Sequence, residues 1–280
     1  MQSILKQENG AFWQWDLPSG SHQIYYIEKG IGPHHLLLLH GFAAHSFTWR
    51  WIMDDLVKAG YHVWAIDLIG SGRSDKPIEV PYGLDLFTHQ IEAFMRAKNM
   101  TRACVIGHSM GGGLALALSL LYPHPIQSLV LIDALAFPLK LPLYFAITRA
   151  LGKWVKPLIG KSMVKQILHQ ILYDPNNISE EQIQAYDFPF HMSGGKEAFI
   201  KTLQNYNDQE LERLALHFKE LKVPILIIWG ERDPWMPLSY FQRLSSLFPQ
   251  AQTVVISHCG HVPQEEHPQK VSQAIVKFLT

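Results

Sequence analysis

With 24 acidic and 24 basic side chains in 280 residues, the chain has no net field to gather a polyanion, and nucleic-acid binding is not expected. Apolar residues make up 48% of it; the charged fraction of 17% falls below the roughly 25% usual for soluble proteins. That balance suits one large α/β domain with an apolar cleft and room for an inserted subdomain, and excludes a disordered chain.

In chain order, the opening MQSILKQENGAFWQW has no basic start followed by an apolar run, so no secretory signal is read there. His22 to Glu28 predicts an edge strand and Leu36 to Leu39 a buried one. A helix follows over Trp51 to Ala59, stopped by Gly60, then a strand at His62 to Ile66. Tyr82 to Lys98 is amphipathic and helical. Ala103 to Ile106 predicts a strand, Gly111 to Leu121 a helix ended by Pro123, and Ser128 to Ile132 another strand. The pattern resumes with strands at Ile225 to Trp229 and Thr253 to Ile256, a helix at Leu238 to Leu247 between them, and a last helix from Pro268 to Leu279.

Such alternation predicts an α/β fold: a mostly parallel sheet with helices on both faces. Between Ala134 and Lys222 it fails, and the chain turns helical, rich in Leu, Ile, Phe and Tyr. That stretch is too long for one crossover helix and reads as a helical cap inserted at 135–220, with the core formed by 1–134 and 221–280. The most apolar segment, Ser128 to Thr148, is interrupted by Asp133, Pro138, Lys140 and Pro142, which a membrane span would not tolerate. A soluble, cytoplasmic protein is expected.

The sharpest motif is Gly107-His108-Ser109-Met110-Gly111, followed by Gly112 and Gly113. A nucleophile between a strand end and a helix start sits on a tight turn, and its neighbours two residues away must be small because the two backbones approach closely. The apolar strand before and the helix after give the motif its force. The helix start would also aim free N–H groups at developing negative charge, making the Met110 N–H one oxyanion donor. The loop His40-Gly41-Phe42 after Leu36 to Leu39 would supply the second from the Phe42 N–H. His40 itself reads as a turn-shaping residue.

A serine hydroxyl needs a neighbouring base. In this topology the order along the chain is Ser, acid, His. The last strand runs into Ser257-His258-Cys259-Gly260-His261. Gly260 would give the backbone freedom to turn His261 over the sheet edge, which favours His261, with His258 as rival. For the acid, Ile225 to Trp229 leads into Gly230-Glu231-Arg232-Asp233-Pro234. Asp233 is favoured, with Asp133 at the end of its strand and Glu231 as alternatives. Gly41, His108, Val262 and Trp235 are expected to line the substrate pocket.

On these segments the chain resembles the α/β-hydrolase superfamily along nearly its whole length: HGF (40–42), DLIGSGRSD (67–75), GHSMGG (107–112), WGERDPWMP (229–237) and HCGHVPQEEHP (258–268) follow the family's order and spacing. The resemblance supports Asp233 and His261 and implies a mainly structural turn at 67–75, with no catalytic role for Arg73. It is similar in particular to a capped group of epoxide hydrolases, haloalkane dehalogenases, carbon–carbon bond hydrolases and small esterases. The dehalogenases and epoxide hydrolases of that group use an aspartate where this chain has Ser109, which implies ester-type chemistry. The expected reaction is hydrolysis of a carboxylic ester or thioester through an acyl-enzyme. The alternatives are a carbon–carbon bond hydrolase acting on a diketone-like substrate, and a slow-turnover ligand receptor on the same fold.

Within the cap, Lys140, Arg149, Lys153, Lys156, Lys161 and Lys165 face a single acid, Asp174, among Leu, Ile, Val and Trp154. This segment reads either as a solvated helix face or as a surface for anionic lipid or an acidic carrier protein. Cys104 falls in an apolar run and reads as core, Cys259 as a loop thiol; two cysteines make no disulfide framework. His34-His35 and the 258–261 loop lack the spacing of a zinc site, and no dinucleotide signature follows a strand, so neither metal nor cofactor is expected.

Overall fold

The computed structural model describes residues 10–139 and 142–280; the N-terminal segment read for a signal, up to residue 9, and Lys140 lie outside them. The strands are β1 (Gly10–Leu17), β2 (Gly20–Lys29), β3 (His35–Leu39), β4 (His62–Ile66), β5 (Ala103–His108), β6 (Ile126–Ile132), β7 (Ile225–Gly230) and β8 (Gln252–Ile256). They form one eight-stranded sheet in the order β1-β2-β4-β3-β5-β6-β7-β8. From β4 to β8 all neighbours are parallel, whereas β2 runs antiparallel to both β1 and β4. His22 to Glu28 is therefore not the edge. The outer strand is β1, joined to β2 across the Pro18-Ser19 turn, and only Trp15 of it is buried. A strand that buries one side chain leaves almost no periodic apolar signal in the sequence.

The inner strands bury both faces, as parallel strands covered by helices must. Leu37, Leu39, Val105, Leu129, Leu131, Ile227 and Trp229 point to one side, where they meet α2 (Leu84–Ala97), α3 (Met110–Leu121) and α9 (Leu238–Leu247). Leu36, Leu38, Ile106, Val130, Ile132, Leu226 and Ile228 point to the other, against α1 (Met53–Lys58) and α11 (Pro268–Leu279). Cys104 and Cys259 belong to this second core; Cys259, expected as a loop thiol, is fully buried. Burial pushes the Cys104 thiol up to about 12 and holds the Cys259 thiol higher still, so neither is a ready nucleophile.

Between β6 and β7 the described chain is helical: α4 (Leu143–Leu151), a 3-10 turn at Gly152–Leu158, α5 (Lys161–Ile171), α6 (Glu180–His191), α7 (Gly195–Asn205) and α8 (Asp208–Ala215). Phe145, Val164, Leu168, Ile183, Phe190 and Phe199 from these helices close a third core onto Phe47 and Val262 of the sheet domain. Glu265, in the short α10 (Pro263–Glu266), accepts hydrogen bonds from Thr48 and Arg50 on one side, each at 2.8 Å, and from Gln182 at 2.9 Å and Tyr186 on the other. This buried carboxylate pins α6 to the sheet domain. Among the described residues, no helix is long and apolar enough to cross a membrane.

Candidate active site

Ser109 stands alone between the end of β5 and the first residue of α3, with φ 52° and ψ −118°. A residue with a side chain held there costs of the order of 1–3 kcal/mol and persists only when its surroundings over-determine it. They do: the Ser109 N–H donates to the Ile132 carbonyl at 3.0 Å, and its own carbonyl accepts from Gly112, Gly113 and Leu135. The flanking glycines are required by close approach. A Cβ on Gly107 would lie 2.2 Å from the Gly111 carbonyl oxygen, and one on Gly111 2.1 Å from that of Leu39.

His261 lies beyond β8. Its Nε2 is 3.1 Å from Ser109 Oγ, and its Nδ1 is 2.6 Å from Asp233 Oδ2. The loop is fixed by the His261 N–H donating to the Ile171 carbonyl at 2.8 Å and the Gly260 N–H donating to Glu266 Oε1 at 2.8 Å. Gly260 serves here for another reason than backbone freedom. The left-handed residue is His258, with φ 55°, and what Gly260 supplies is space: a Cβ on it would meet the Ile171 carbonyl oxygen at 2.1 Å. His258 is exposed, its ring set edge-on against Tyr173, and takes no part in the site.

Both oxygens of Asp233 are engaged as acceptors: Oδ2 faces the imidazole, and Oδ1 receives the N–H groups of Trp235 and Met236 at 2.8 and 2.9 Å. Asp133 sits behind it, fully buried, with Oδ1 accepting from the Gly230 N–H at 3.0 Å. Burial, followed by the charge of Asp233, raises the Asp133 carboxyl well above its ordinary value and favours its neutral form, and its Oδ2 has no hydrogen-bond partner. Glu231 is half-buried and lies 3.6 Å from Arg232 Nε, apart from the imidazole. Asp133, Asp233 and His261 together present three ligand atoms within 4.8 Å of one another. The 2.6 Å bond between two of them leaves no room for an ion to be shared in place of the proton.

Two neighbouring histidines are held neutral. His40 Nδ1–H donates to the Gly41 carbonyl at 2.8 Å while its Nε2 accepts from the Leu68 N–H at 3.0 Å, and burial pushes it down to about 4. It braces the turn that carries Phe42. His108, also buried and beside His261, is pushed well below its ordinary value. Its Nε2–H donates to the His261 carbonyl at 2.6 Å. The residue before the serine thus holds the loop of the imidazole, a link that no spacing between 108 and 261 could suggest. Asp67 accepts the Ser46 and Arg73 N–H groups, each at 2.7 Å, and serves the 67–75 turn.

Ser109 and His261 open into a largely apolar cleft. Gly41, His108, Val262 and Trp235 line it together with Phe42, Phe145, Leu168 and Phe190, and Glu265 supplies the only formal charge among the described lining residues besides any on the histidines. Arg50, the cation nearest that carboxylate, is paired with it at 2.8 Å and does not reach the lining. Met110 opens α3 directly after Ser109, and a Cβ on Gly41, the residue before Phe42, would lie 3.1 Å from Ser109 Cβ, so the backbone entering Phe42 runs close to the serine.

The profile of the alpha/beta hydrolase family spans residues 36–274 of the chain. The chain belongs to the alpha/beta hydrolase family. This alpha/beta hydrolase is 30% identical to a 2-hydroxy-6-oxononadienedioate/2-hydroxy-6-oxononatrienedioate hydrolase of Paraburkholderia phymatum, over 92% of the chain and 91% of the relative. It is 28% identical to Lipase 3 of a Moraxella species, over 89% of the chain and 78% of the lipase. Among solved structures it superposes on a meta-cleavage product hydrolase of Pseudomonas fluorescens with a TM-score of 0.81 and 26% identity, covering 92% and 94% of the two chains.

Proposed function

We propose that this hydrolase cleaves carboxylic esters with an apolar acyl group through an acyl-enzyme on Ser109. The observation that carries the reading is the hydrogen-bond chain from Asp233 through His261 to Ser109, opening into a cleft with no lysine or arginine among its described lining residues. Ser109 Oγ attacks the ester carbonyl as its proton passes to His261 Nε2. Asp233 holds the imidazole in the tautomer that accepts at Nε2 and stabilises the imidazolium. The Met110 and Phe42 N–H groups receive the oxyanion, each being worth about 10²–10³ in rate. His261 passes its proton to the leaving alcohol, then takes one from the water that releases the acid. The helical insert between β6 and β7, with Phe145 and Leu168 in the cleft wall, acts as the cap that keeps water out.

The second reading, carbon–carbon bond hydrolysis, has the Paraburkholderia relative in its favour. That relative's substrate is a dicarboxylate. In this chain an acidic tail would meet apolar walls and Glu265 instead of a free cation, and a buried carboxylate without a partner costs on the order of several kcal/mol. The test is kinetic. Neutral p-nitrophenyl esters should be hydrolysed with kcat/KM rising about fourfold per added methylene until the cleft fills, and Ser109→Ala should abolish turnover and fluorophosphonate labelling. A dicarboxylate dienone preferred over every neutral ester would defeat the ester reading. Undiminished turnover in Ser109→Ala would defeat the nucleophile.

A further inference from the structure

The helix that walls the cleft on its inner side carries a different surface outside. α4 turns Phe145 and Thr148 inward, while Leu143, Ile147 and Leu151, spaced one turn apart, are exposed. The following 3-10 turn adds Trp154 and Leu158, 78% and 74% exposed. Both elements rest on α7, so this row looks away from the body of the protein. Five of the thirteen large hydrophobic side chains exposed among the described residues fall between positions 143 and 158. Single exposed leucines need no explanation, but a row of this density does.

The charges that this stretch of sequence itself carries have one sign. From 142 to 173 there is no acidic residue, whereas Arg149, Lys153, Lys156, Lys161 and Lys165 all fall there. Lys156 and Lys161 pair with Glu197 and Glu180. Lys153 and Lys165 are exposed and make no ion pair among the described residues, and Lys153 sits over the Trp154 ring at 5.8 Å, whereas the half-buried Arg149 turns over the Tyr206 ring.

We propose that this face docks the protein on an anionic phospholipid bilayer, with Trp154 and the leucines in the interface and the free cations at headgroup level. A row of aliphatic side chains with a tryptophan, flanked by unpaired lysines, is the composition of a helix that lies in a membrane surface. A second copy is a poorer occupant, because a two-fold contact brings like-charged patches together. An acidic carrier protein would match the cations and leave the row of leucines wet. Binding does not require the hydrolytic reading; it extends it by presenting α4, whose Phe145 lines the cleft, to a phase where apolar esters dissolve.

The experiment is co-sedimentation of the full chain, and of Ser109→Ala, with phosphatidylcholine vesicles that contain or lack phosphatidylglycerol. Both proteins should partition to the phosphatidylglycerol vesicles, more weakly at high salt, so docking is read apart from turnover. Leu151→Glu combined with Trp154→Glu should lower partition by about tenfold or more. Lys153→Gln and Lys165→Gln should each lower it by about fivefold; these four side chains are exposed, so the thermal midpoints should match the parent. Absence of vesicle binding, or binding that ignores both sets of variants, overturns the proposal. So does a solution dimer that the glutamate pair dissolves, or lysine-dependent capture of an acidic acyl carrier protein without any partition to vesicles.

Discussion

Asp133 follows β6 and Asp233 follows its parallel neighbour β7, and the two buried carboxyls lie close together in surroundings of opposite kind. Asp233 is surrounded by donors, two backbone N–H groups and the imidazole, as an acceptor-only carboxylate requires. Asp133 has one donor and one orphan oxygen, and burial keeps it neutral. Exchanging Asp233 for Asn should therefore strand the wrong imidazole tautomer and lower kcat by about 10⁴. Asp133→Asn replaces one neutral group by another of the same shape and should cost less than about tenfold. Steady-state kinetics on one ester decides it, and equal losses in the two variants would overturn this division. Sequence alone favours Asp233 over its rivals from loop position, because a strand end followed by a short proline-stiffened loop is a local signal. The bond from His108 to the His261 carbonyl joins residues 153 apart in sequence, and only the sheet order brings them together.

The loops after β7 and β8 and the end of α5 are stacked with no space for a methyl group between them. A Cβ on Gly230 would come within 1.8 Å of the Gly260 carbonyl oxygen, and one on Gly260 would reach that of Ile171. The acid loop, the imidazole loop and the helical insert thus fix one another's positions. Gly260→Ala should push the Ile171 carbonyl away and break its bond to the His261 N–H. A displacement near 1 Å at His261 is worth about 10² in kcat, and the overpacking should destabilise the fold by about 1–3 kcal/mol. Matched thermal unfolding and fluorophosphonate labelling measure both; labelling at the parental rate would show that the loop does not need this contact. At this scale the inner strands and the helices beside them were legible, since burial on both faces writes long apolar runs and the 3.6-residue period is strong in α2. β1 was not, because an edge strand that buries only Trp15 writes almost nothing, and the five helices of the insert merge into one apolar stretch whose breaks the prolines mark only loosely.

Convergence at one rim is a property of the whole sheet: the parallel register brings Gly107 beside Leu39 and Leu131, and Ile132 beside Ile228, so the loops carrying Phe42, Ser109, Asp133 and Asp233 leave side by side. The same crowding makes stability depend on pH with two opposite signs. His40 and His108 are neutral in the fold, with His40 lowered from 6.5 to about 4; a depressed histidine binds fewer protons folded than unfolded. The contribution of His40 is present above pH 6.5 and is lost as the pH falls through about 4, to the extent of about 3 kcal/mol, and His108 acts in the same direction. Asp133 acts the other way. Its raised value means that the fold binds the extra proton, so its contribution is complete below 3.8 and declines as the pH rises toward its folded value. The wild-type curve should climb less steeply above pH 4 than that of Asp133→Asn, which has no proton to lose. Urea unfolding of both proteins from pH 4 to 9 measures the gap, which should widen in favour of the variant as the pH rises. A gap of constant size would mean that Asp133 is charged in the fold and that the neutral partner behind Asp233 does not exist.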